Sequence, residues 1–437
     1  MKRLILALAF LAATGIACGL HAASVHRNAV RLHHLAEDAY QHYDFASAHA
    51  HLVAYLELRP EDSEARLLAA RCARRAEFLE DYSGPNATLR EQASRHLNRI
   101  RHSRRESGYE TLAAAATLEE MLGQAQSGDL SSTELVLLVR IGERGPEAPL
   151  ILEALICGYL RHLQCDKALV CIDSLLRLEP ENVLALLWRG RIHEQIWQVR
   201  KATEDFASAI RIVPDFDAAR YYLAESLLRS NQAEEARTHL EVLKEKAPDN
   251  LLVRLAWATC QIQAGENDIG QELLDRWLED APKDHPRLLE ALTTRANLAL
   301  TSGQAAEAER FARRALKESS LDQQALYVLS RSLDVQGRGQ EARAIETQLN
   351  KIKEDLHQVA QCREKLAHDP NDLHLRHEIG AAYLRLDRPG EALVWLNGIL
   401  DRDPRYRPAL QALADYHARS GHTGMAAEMQ RRLAESQ

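Results

Sequence analysis

The sequence predicts an all-α protein built from repeated pairs of antiparallel helices. Two observations carry this prediction: a sequence period of 34 residues and a helix-favouring composition. Ala, Leu, Arg and Glu dominate the 437 residues, aromatic residues make up 5%, and Gly and Pro are sparse. No segment alternates β-branched and polar residues as a half-buried strand would, so we expect no sheet.

The period appears in two independent series of residues. Prolines recur every 34 residues, at Pro180, Pro214, Pro248 and Pro282, and again at Pro370 and Pro404. Small residues keep the same step in the same phase, at Ala168, Ala202, Ala236 and Gly270, at Ala308 and Ala342, and at Ala392 and Ala426. Two series that share one period and one phase predict an array of structural repeats.

One unit, Val183–Pro214, explains the pattern physically. Small residues at its eighth and twentieth positions, Gly190 and Ala202, let two helices approach closely, and Phe206 fills the space between them. Pro214 ends the second helix because it lacks an amide donor and clashes with a further turn. Glycines between the two helices suit a left-handed backbone; they are Gly265, Gly303, Gly337 and Gly421.

This pattern resembles the tetratricopeptide repeat family. Matching units begin near Pro149, Val183, Asp217, Leu251, Leu289, Gln323, Leu373 and Arg407. The resemblance implies an α-solenoid, a right-handed superhelix of antiparallel helix pairs, which here follows an N-terminal apolar helix. Leu and Ile often replace the aromatic residues of the family pattern.

The resemblance also implies a ligand groove lined by the first helix of each unit, at positions two, five, nine, twelve and thirteen. Aromatic, Arg and amide side chains there suit peptide recognition. The candidate groove residues, at these positions and at the adjacent sixth position, are Trp188, Arg191, Glu194, Tyr221, Tyr222, Glu225, Arg229, Thr293, Asn297, Tyr327, Arg331, His374 and His377. Asn297 lacks the lysine set by which some relatives clamp a carboxylate.

The N-terminus carries a targeting pattern. Lys2 and Arg3 precede an apolar run over residues 4–20, as in a secretory signal or a signal anchor. The run is long for a signal core and short for a membrane span, so a cleaved signal, an uncleaved anchor and a lipoprotein processed at Cys18 all stay open. In each case we expect the repeats on the outer, periplasmic side of a cytoplasmic membrane, with membrane contact through this segment only.

The repeats predict the domain organisation. A signal or anchor is followed by N-terminal repeat-like units with an insertion at residues 83–86, a degenerate helical pair, the main array, a long-helix spacer and a C-terminal pair. The predicted boundaries are 1–24, 25–105, 106–148, 149–350, 351–372 and 373–437.

The spacer contains an apolar seam over residues 342–366, spaced by alternating threes and fours. We expect one helix of about 25 residues, roughly 38 Å long at 1.5 Å per residue. The seam favours an overlong second helix that packs across adjacent repeats. The alternative is a coiled-coil homodimer through this helix.

The motifs and charges indicate a non-catalytic protein. Nucleophile-elbow, phosphate-loop and zinc-protease motifs are absent from the sequence, and His374 and His377 lack a third metal ligand. We therefore expect no catalytic residue, metal or cofactor. The net charge of −8, spread over mixed charges, argues against nucleic acid.

The predicted function is an interaction scaffold of a bacterial-type cell envelope that binds a protein or peptide partner. The alternatives are a recruitment subunit of a separate enzyme and a polysaccharide-associated solenoid.

Overall fold

The computed structural model describes residues 2–79, 87–102, 109–128, 137, 145–162, 164–196, 198–369 and 371–435. For residues 2–21, Phe78, Leu79, Ala87 and Ala367 it describes the backbone alone. The chain divides into an N-terminal body, Met1–Glu266, and a C-terminal body, Asn267–Gln437.

The N-terminal body is formed by antiparallel helices. They are α1 (Lys2–Gln41), α2 (Phe45–Leu58), α3 (Ser63–Leu79), α4 (Ala87–His102), α5 (Tyr109–Gln126), α6 (Ala148–Arg161), α7 (Cys165–Leu178), α8 (Val183–Gln195), α9 (Val199–Ile212), α10 (Asp217–Arg229), α11 (Ala233–Lys246) and α12 (Leu251–Gln263).

The C-terminal body continues the same pattern. Its helices are α13 (Asn267–Asp280), α14 (Leu288–Thr301), α15 (Ala305–Glu318), α16 (Gln323–Val335), α17 (Gly339–His368), α18 (Leu373–Arg385), α19 (Pro389–Leu400), α20 (Arg407–Arg419) and α21 (Thr423–Glu435). The described residues contain no strand, and the predicted all-α solenoid of helix pairs is confirmed.

The two helices of a unit approach each other closely at small residues, as the sequence predicts. At the twentieth position of their units, Ala168, Ala202, Ala236 and Ala308 are fully buried. The tightest contact is at Gly190 in α8, where an added Cβ would lie 2.5 Å from the ring of Phe206 in α9. Helix separation within a unit is therefore set by side-chain volume at these positions.

The turn between the two helices of a unit has a fixed backbone conformation. Its fifteenth position has positive φ at Gly265, Gly303, Gly337 and Gly421, as predicted, and also at Asn231 and Asp387 and, counted from an N-terminal unit that begins at Ala29, at Tyr43. Nothing lies within 4 Å of an added Cβ at the four glycines, so glycine there serves the backbone and not the packing. Asn and Asp tolerate the same conformation better than other side chains do.

The turn between units places a capping side chain before the next first helix. The side-chain oxygens of Asn182, Asn250, Asp322 and Asp372 accept hydrogen bonds from backbone N–H groups in the first turns of α8, α12, α16 and α18, at 2.8–3.3 Å. A cap of this kind stabilises a helix start by about 1 kcal/mol. All of these caps except Asp322 follow a repeat proline by two residues.

The spacer helix α17 is 30 residues long and occupies its own apolar seam. Its buried residues Leu349, Ile352, Val359, Cys362 and Leu366 form one hydrophobic cluster with Leu326 of α16 and with residues of α18. The seam therefore serves the overlong second helix. It leaves no free face for the coiled-coil alternative, because intramolecular neighbours already bury its side chains.

Several sequence predictions concern residues that the structure does not describe. The insertion at residues 83–86 lies outside the described residues, as does most of the second helix expected in 106–148. The side chains of residues 1–21, including the apolar run and Cys18, lie outside them too. Among the described residues, no helix is both long and apolar enough to cross a membrane.

The contact between Gly190 and Phe206 gives a direct test of the packing. Gly190→Ala forces the Phe206 ring to move in a closed core, and we expect a loss of about 1–3 kcal/mol in the free energy of unfolding, measured by chemical denaturation. Phe206→Leu in the same chain should recover part of the loss, because Ala224 and Leu240 occupy these two positions in the next unit. Gly398→Ala, with nothing within 4 Å, is the control and should stabilise by about 0.5–1 kcal/mol. An equal effect of both alanines would contradict the packing.

A histidine pair between α2 and α4 predicts acid sensitivity. The rings of His49 and His96 meet edge to face at 5.6 Å. Burial lowers the pKa of His49, and burial together with His49, Arg66 and Arg99 lowers the pKa of His96 to about 4. As the pH falls, the unfolded chain, whose histidines have pKa values near 6.5, takes up protons before the folded chain does. The contribution of the pair to the free energy of unfolding is therefore complete above about pH 6.5 and is lost as the pH falls toward 4.

His96→Phe preserves the ring contact and removes one of the two titrating groups. Denaturation midpoints measured from pH 7 to pH 4 should fall less steeply for this variant than for the natural protein. Parallel profiles would mean that the pair does not cause the acid sensitivity.

Candidate functional site

The predicted groove positions of the N-terminal body are mostly buried. In the unit that begins at Val183, the second and fifth positions, Leu184 and Leu187, are each 1% exposed. Trp188 and Tyr221, two of the candidate residues, are 3% and 2% exposed. These two side chains belong to the hydrophobic core of this body and offer a ligand almost no surface.

The aromatic candidates of α10 are joined to α8 and α9 in one stack. Tyr222 lies face to face with Phe206 at 5.8 Å and edge to face with Tyr221 at 5.4 Å. The guanidinium of Arg191 lies 5.1 Å from the centroid of the Tyr222 ring. Such cation–π geometry stabilises the arrangement. Arg191 and Tyr222 therefore hold neighbouring first helices together.

Polar candidates in the same place form an ion cluster. The Tyr221 hydroxyl donates to Oε1 of Glu225 at 2.6 Å. Arg229, half exposed, lies 3.2 Å from Glu194 and 3.9 Å from Glu225. The two carboxylates are thus already engaged, and Arg229 is the most accessible group of the cluster.

The N-terminal body closes partly on itself. The buried guanidinium of Arg75 in α3 donates two hydrogen bonds from Nη2 to Glu153 of α6, at 2.8 and 2.6 Å, and one to the Tyr40 hydroxyl, at 2.6 Å. Tyr43, in the turn after α1, lies against Phe216 just before α10, with ring centroids 5.6 Å apart. Side chains of the chain itself therefore fill space that a groove ligand would need.

In the C-terminal body, the groove positions of α16 are open. Along α16, Gln324, Tyr327, Arg331 and Val335 are exposed and follow one another at steps of three and four residues, which aligns them on one side of the helix. Tyr327 is 46% exposed, Val335 is 65% exposed, and the Arg331 side chain is 48% exposed. The guanidinium of Arg331 lies 3.6 Å from Asp334 on its own helix.

The preceding first helix, α14, extends this surface. The side chain of Asn297 is exposed, and its Oδ1 accepts a hydrogen bond from Nε2 of Gln324 at 3.5 Å. The Thr293 hydroxyl instead donates to carbonyl oxygens of its own helix, those of Leu289 and Glu290. We call the surface formed by Asn297, Gln324, Tyr327, Arg331 and Val335 the α16 face.

The two candidate histidines of α18 flank Glu378. His374 is largely exposed and lies 4.0 Å from that carboxylate, and His377 is mostly buried and lies 3.9 Å from it. Burial lowers the pKa of His377, although the charge of Glu378 opposes the shift. Among the described residues, no three His, Cys, Asp or Glu side chains are grouped as metal ligands.

Two members of the α16 face were not singled out from the sequence. Gln324 and Val335 occupy the second and thirteenth positions of the unit that begins at Gln323, both of which face the groove in the repeat pattern. The signal was therefore present. The sequence prediction selected aromatic and charged side chains among the groove positions and so passed over these two residues. The burial of Trp188 and Tyr221 has no signal in the repeat pattern.

Comparison with known families and structures agrees with this geometry. Two tetratricopeptide repeat models match the chain, one at residues 198–257 in the N-terminal body and one at 293–350 in the C-terminal body. The second match contains most of α14, all of α15 and α16, and therefore the whole α16 face. Among curated proteins, no significant match was found.

Solved structures with a similar arrangement are repeat proteins of low sequence identity. A tetratricopeptide repeat protein from Parabacteroides merdae ATCC 43184 is 18% identical, with 53% of this chain and 90% of that chain covered and a TM-score of 0.45. PilW, a type IV pilus biogenesis factor, is 22% identical, with coverage of 47% and 93% and a TM-score of 0.41. An IFIT1 monomeric mutant with m7Gppp-AAAA is 14% identical, with coverage of 85% and 90% and a TM-score of 0.42.

These likenesses do not bear on what the present chain binds. The assignment to a family rests on the two model matches and on the observed units, with their small residues at fixed positions and their shared turn conformation. Together they show that the chain contains tetratricopeptide repeats.

Proposed function

We propose that this protein is a non-catalytic scaffold that binds an extended peptide segment of a partner protein on the α16 face. The observation that carries the proposal is the exposure of Tyr327 on a first helix whose neighbouring groove positions are also open. An exposed aromatic ring beside an arginine is the composition of an interface hot spot. In the N-terminal body the equivalent positions are used internally.

The chemistry of the α16 face suits a peptide backbone. The amide side chains of Asn297 and Gln324 each offer a donor and an acceptor, which an extended peptide can satisfy with its own N–H and C=O groups. Tyr327 and Val335 supply apolar contact area, and Arg331 supplies directed donors at its exposed end. Because Arg331 lies near Asp334, an acidic partner side chain would compete with that carboxylate for the guanidinium.

The α16 face fits one of the two alternative functions better than the other. A recruitment subunit of a separate enzyme would use the same face, so it differs from the scaffold only in the partner's activity. A polysaccharide-associated solenoid would need several exposed aromatic platforms, and among the aromatic candidates Trp188 and Tyr221 are buried and Tyr222 is stacked on Phe206, which leaves Tyr327 as the exposed ring. The peptide-binding scaffold is therefore the function that we favour.

We also propose that the N-terminal segment directs the repeats to the outer side of the cytoplasmic membrane. The basic residues Lys2 and Arg3 and the apolar run over 4–20 support this. N-terminal sequencing of the protein from its natural source separates the routes: a start at Met1 indicates an anchor, a start near Ala22 a cleaved signal, and a blocked Cys18 a lipoprotein. An intact Met1 on a protein that fractionates without membranes would contradict the proposal.

Substitutions on the α16 face test the proposed function. Tyr327→Ala and Arg331→Ala should each weaken the complex with a co-purified partner by about tenfold or more, because truncating an interface anchor costs about 2 kcal/mol. The affinity is measured by titrating the purified partner after its identification by mass spectrometry. Tyr221→Ala is unsuitable, since emptying a buried aromatic site costs about 3–5 kcal/mol of stability.

Two matched controls come from second helices of the same body. Arg276→Ala removes an exposed arginine that is paired on its own helix, with Glu272 at 2.8 Å. Val394→Ala removes an exposed apolar side chain of α19. Both should leave the affinity unchanged. If they weaken the complex as much as the α16 substitutions do, or if no variant weakens it, the α16 face is not the binding surface.

A further inference from the structure

The helix pair α20–α21 carries two histidines that lie against each other. His417 is in the last turn of α20 and His422 directly precedes α21, and their ring centroids are 5.6 Å apart. The backbone fixes this separation, because the N–H of His422 donates to the carbonyl oxygen of His417 at 2.9 Å. Neither residue belongs to the α16 face, so an inference about them is independent of the proposed function.

A methionine thioether lies one helical turn beyond His422. The carbonyl oxygen of His422 accepts a helical hydrogen bond from the N–H of Ala426 at 3.0 Å. Met425, three residues after His422, therefore lies on the same side of α21. Its side chain is 59% exposed. Met429 lies one turn further on and packs instead against the hydrophobic cluster of α19 and α20. Met425 is thus the accessible thioether of this helix.

Both rings can offer a nitrogen to a metal ion. Burial lowers the pKa of His417, with a smaller contribution from His422, so the imidazole of His417 is neutral at pH 7. Metal ions bind this neutral form. The His417 side chain is partly exposed while its Nδ1 is buried without a hydrogen-bond partner, so Nε2 is the nitrogen that a ligand can reach. The His422 side chain is exposed.

The separation of the two rings suits one shared metal ion. With a metal–nitrogen bond of about 2.0 Å, two imidazoles bound to the same ion have ring centroids roughly 4.5–6.3 Å apart. The observed distance of 5.6 Å lies within this range. The first acidic residue of α21, Glu428, is paired with Arg431 at 2.5 Å. The available ligand set is therefore two imidazoles and a thioether, without a carboxylate.

We propose that His417, His422 and Met425 form a binding site for a soft monovalent metal ion of the Cu(I) class. A thioether selects such ions, whereas Zn²⁺ takes imidazole, thiolate and carboxylate ligands. The set differs from the groupings of His, Cys, Asp and Glu considered above, because one of its three ligands is a methionine. A bound ion would tie the end of α20 to the start of α21.

The test follows the methionine methyl groups of the full chain by NMR during titration with Ag⁺, a stable substitute for Cu(I). The chain has four methionines, so a ¹³C-methyl spectrum contains few signals, and Met425→Leu assigns that of Met425. We expect this signal to shift saturably with Ag⁺ and the signal of Met121, in α5, to stay in place. Zn²⁺ at the same concentration should leave both unshifted. The seven cysteines also bind silver, but none lies in α20 or α21.

Three variants locate the binding. His422→Gln should weaken Ag⁺ binding, read from the Met425 methyl signal, by about tenfold or more, because even the hydrogen-bond partners of metal ligands contribute that much. Met425→Leu should weaken it similarly, read from the ring signals of His422. Both side chains are exposed, so neither change disturbs the core. His374→Gln removes an exposed histidine of α18 and is the control, which should bind as the natural protein does.

Three results would overturn the proposal. They are a Met425 methyl signal that does not saturate with Ag⁺, an equal shift of that signal with Zn²⁺, and unchanged Ag⁺ binding in His422→Gln.

Discussion

The close approach of the two helices within each unit is the constraint on which the rest of the structure depends. It requires a small residue on each helix, and the large side chain at the twenty-fourth position fills the space that remains. A single unit cannot bury the outer faces of its helices, so each must stack on a neighbour. The regular step of 34 residues follows from this, because a change in either helix length or turn would misplace the next unit.

Departures from the regular step add features that the repeated units do not have. In the N-terminal body, α3, α4 and α5 enclose a cavity in the segment where regular units give way to an insertion and a degenerate pair. In the C-terminal body, the long helix α17 packs against both α16 and α18. The regular units hold the fold and carry the α16 face, and the irregular parts add features that are particular to this chain.

Much of the fold could be predicted from the sequence because its determinants are local and periodic. The small residues, the prolines and the turn glycines each act within one unit, so their spacing alone indicates the helix pair. Positive φ at Tyr43 and Asp387 could not be predicted from residue type, but their place at the fifteenth position of a unit marks them once the period is known. Tyr43 shows how tertiary packing overrides backbone preference, since its ring contacts Phe45 and Phe216.

The candidate site was less predictable because burial depends on contacts between units that are distant in sequence. Nothing in the pattern near Trp188 or Tyr221 distinguishes them from Tyr327, yet the first two lie in a core and the third is exposed. The N-terminal body, where the first two lie, is also crossed by long-range contacts such as that between Arg75 and Glu153, which no repeat period encodes.

Amide hydrogen exchange across the whole chain, read by mass spectrometry, tests the stacking of two-helix units most directly. Stacking predicts the slowest exchange in α8–α11, which have a neighbouring unit on each side, and faster exchange in the terminal helix α21. It also predicts a local maximum of exchange at the turn of each unit, around positions such as Asn231 and Gly265. Slowest exchange in α21, or a uniform profile without maxima at the turns, would contradict it.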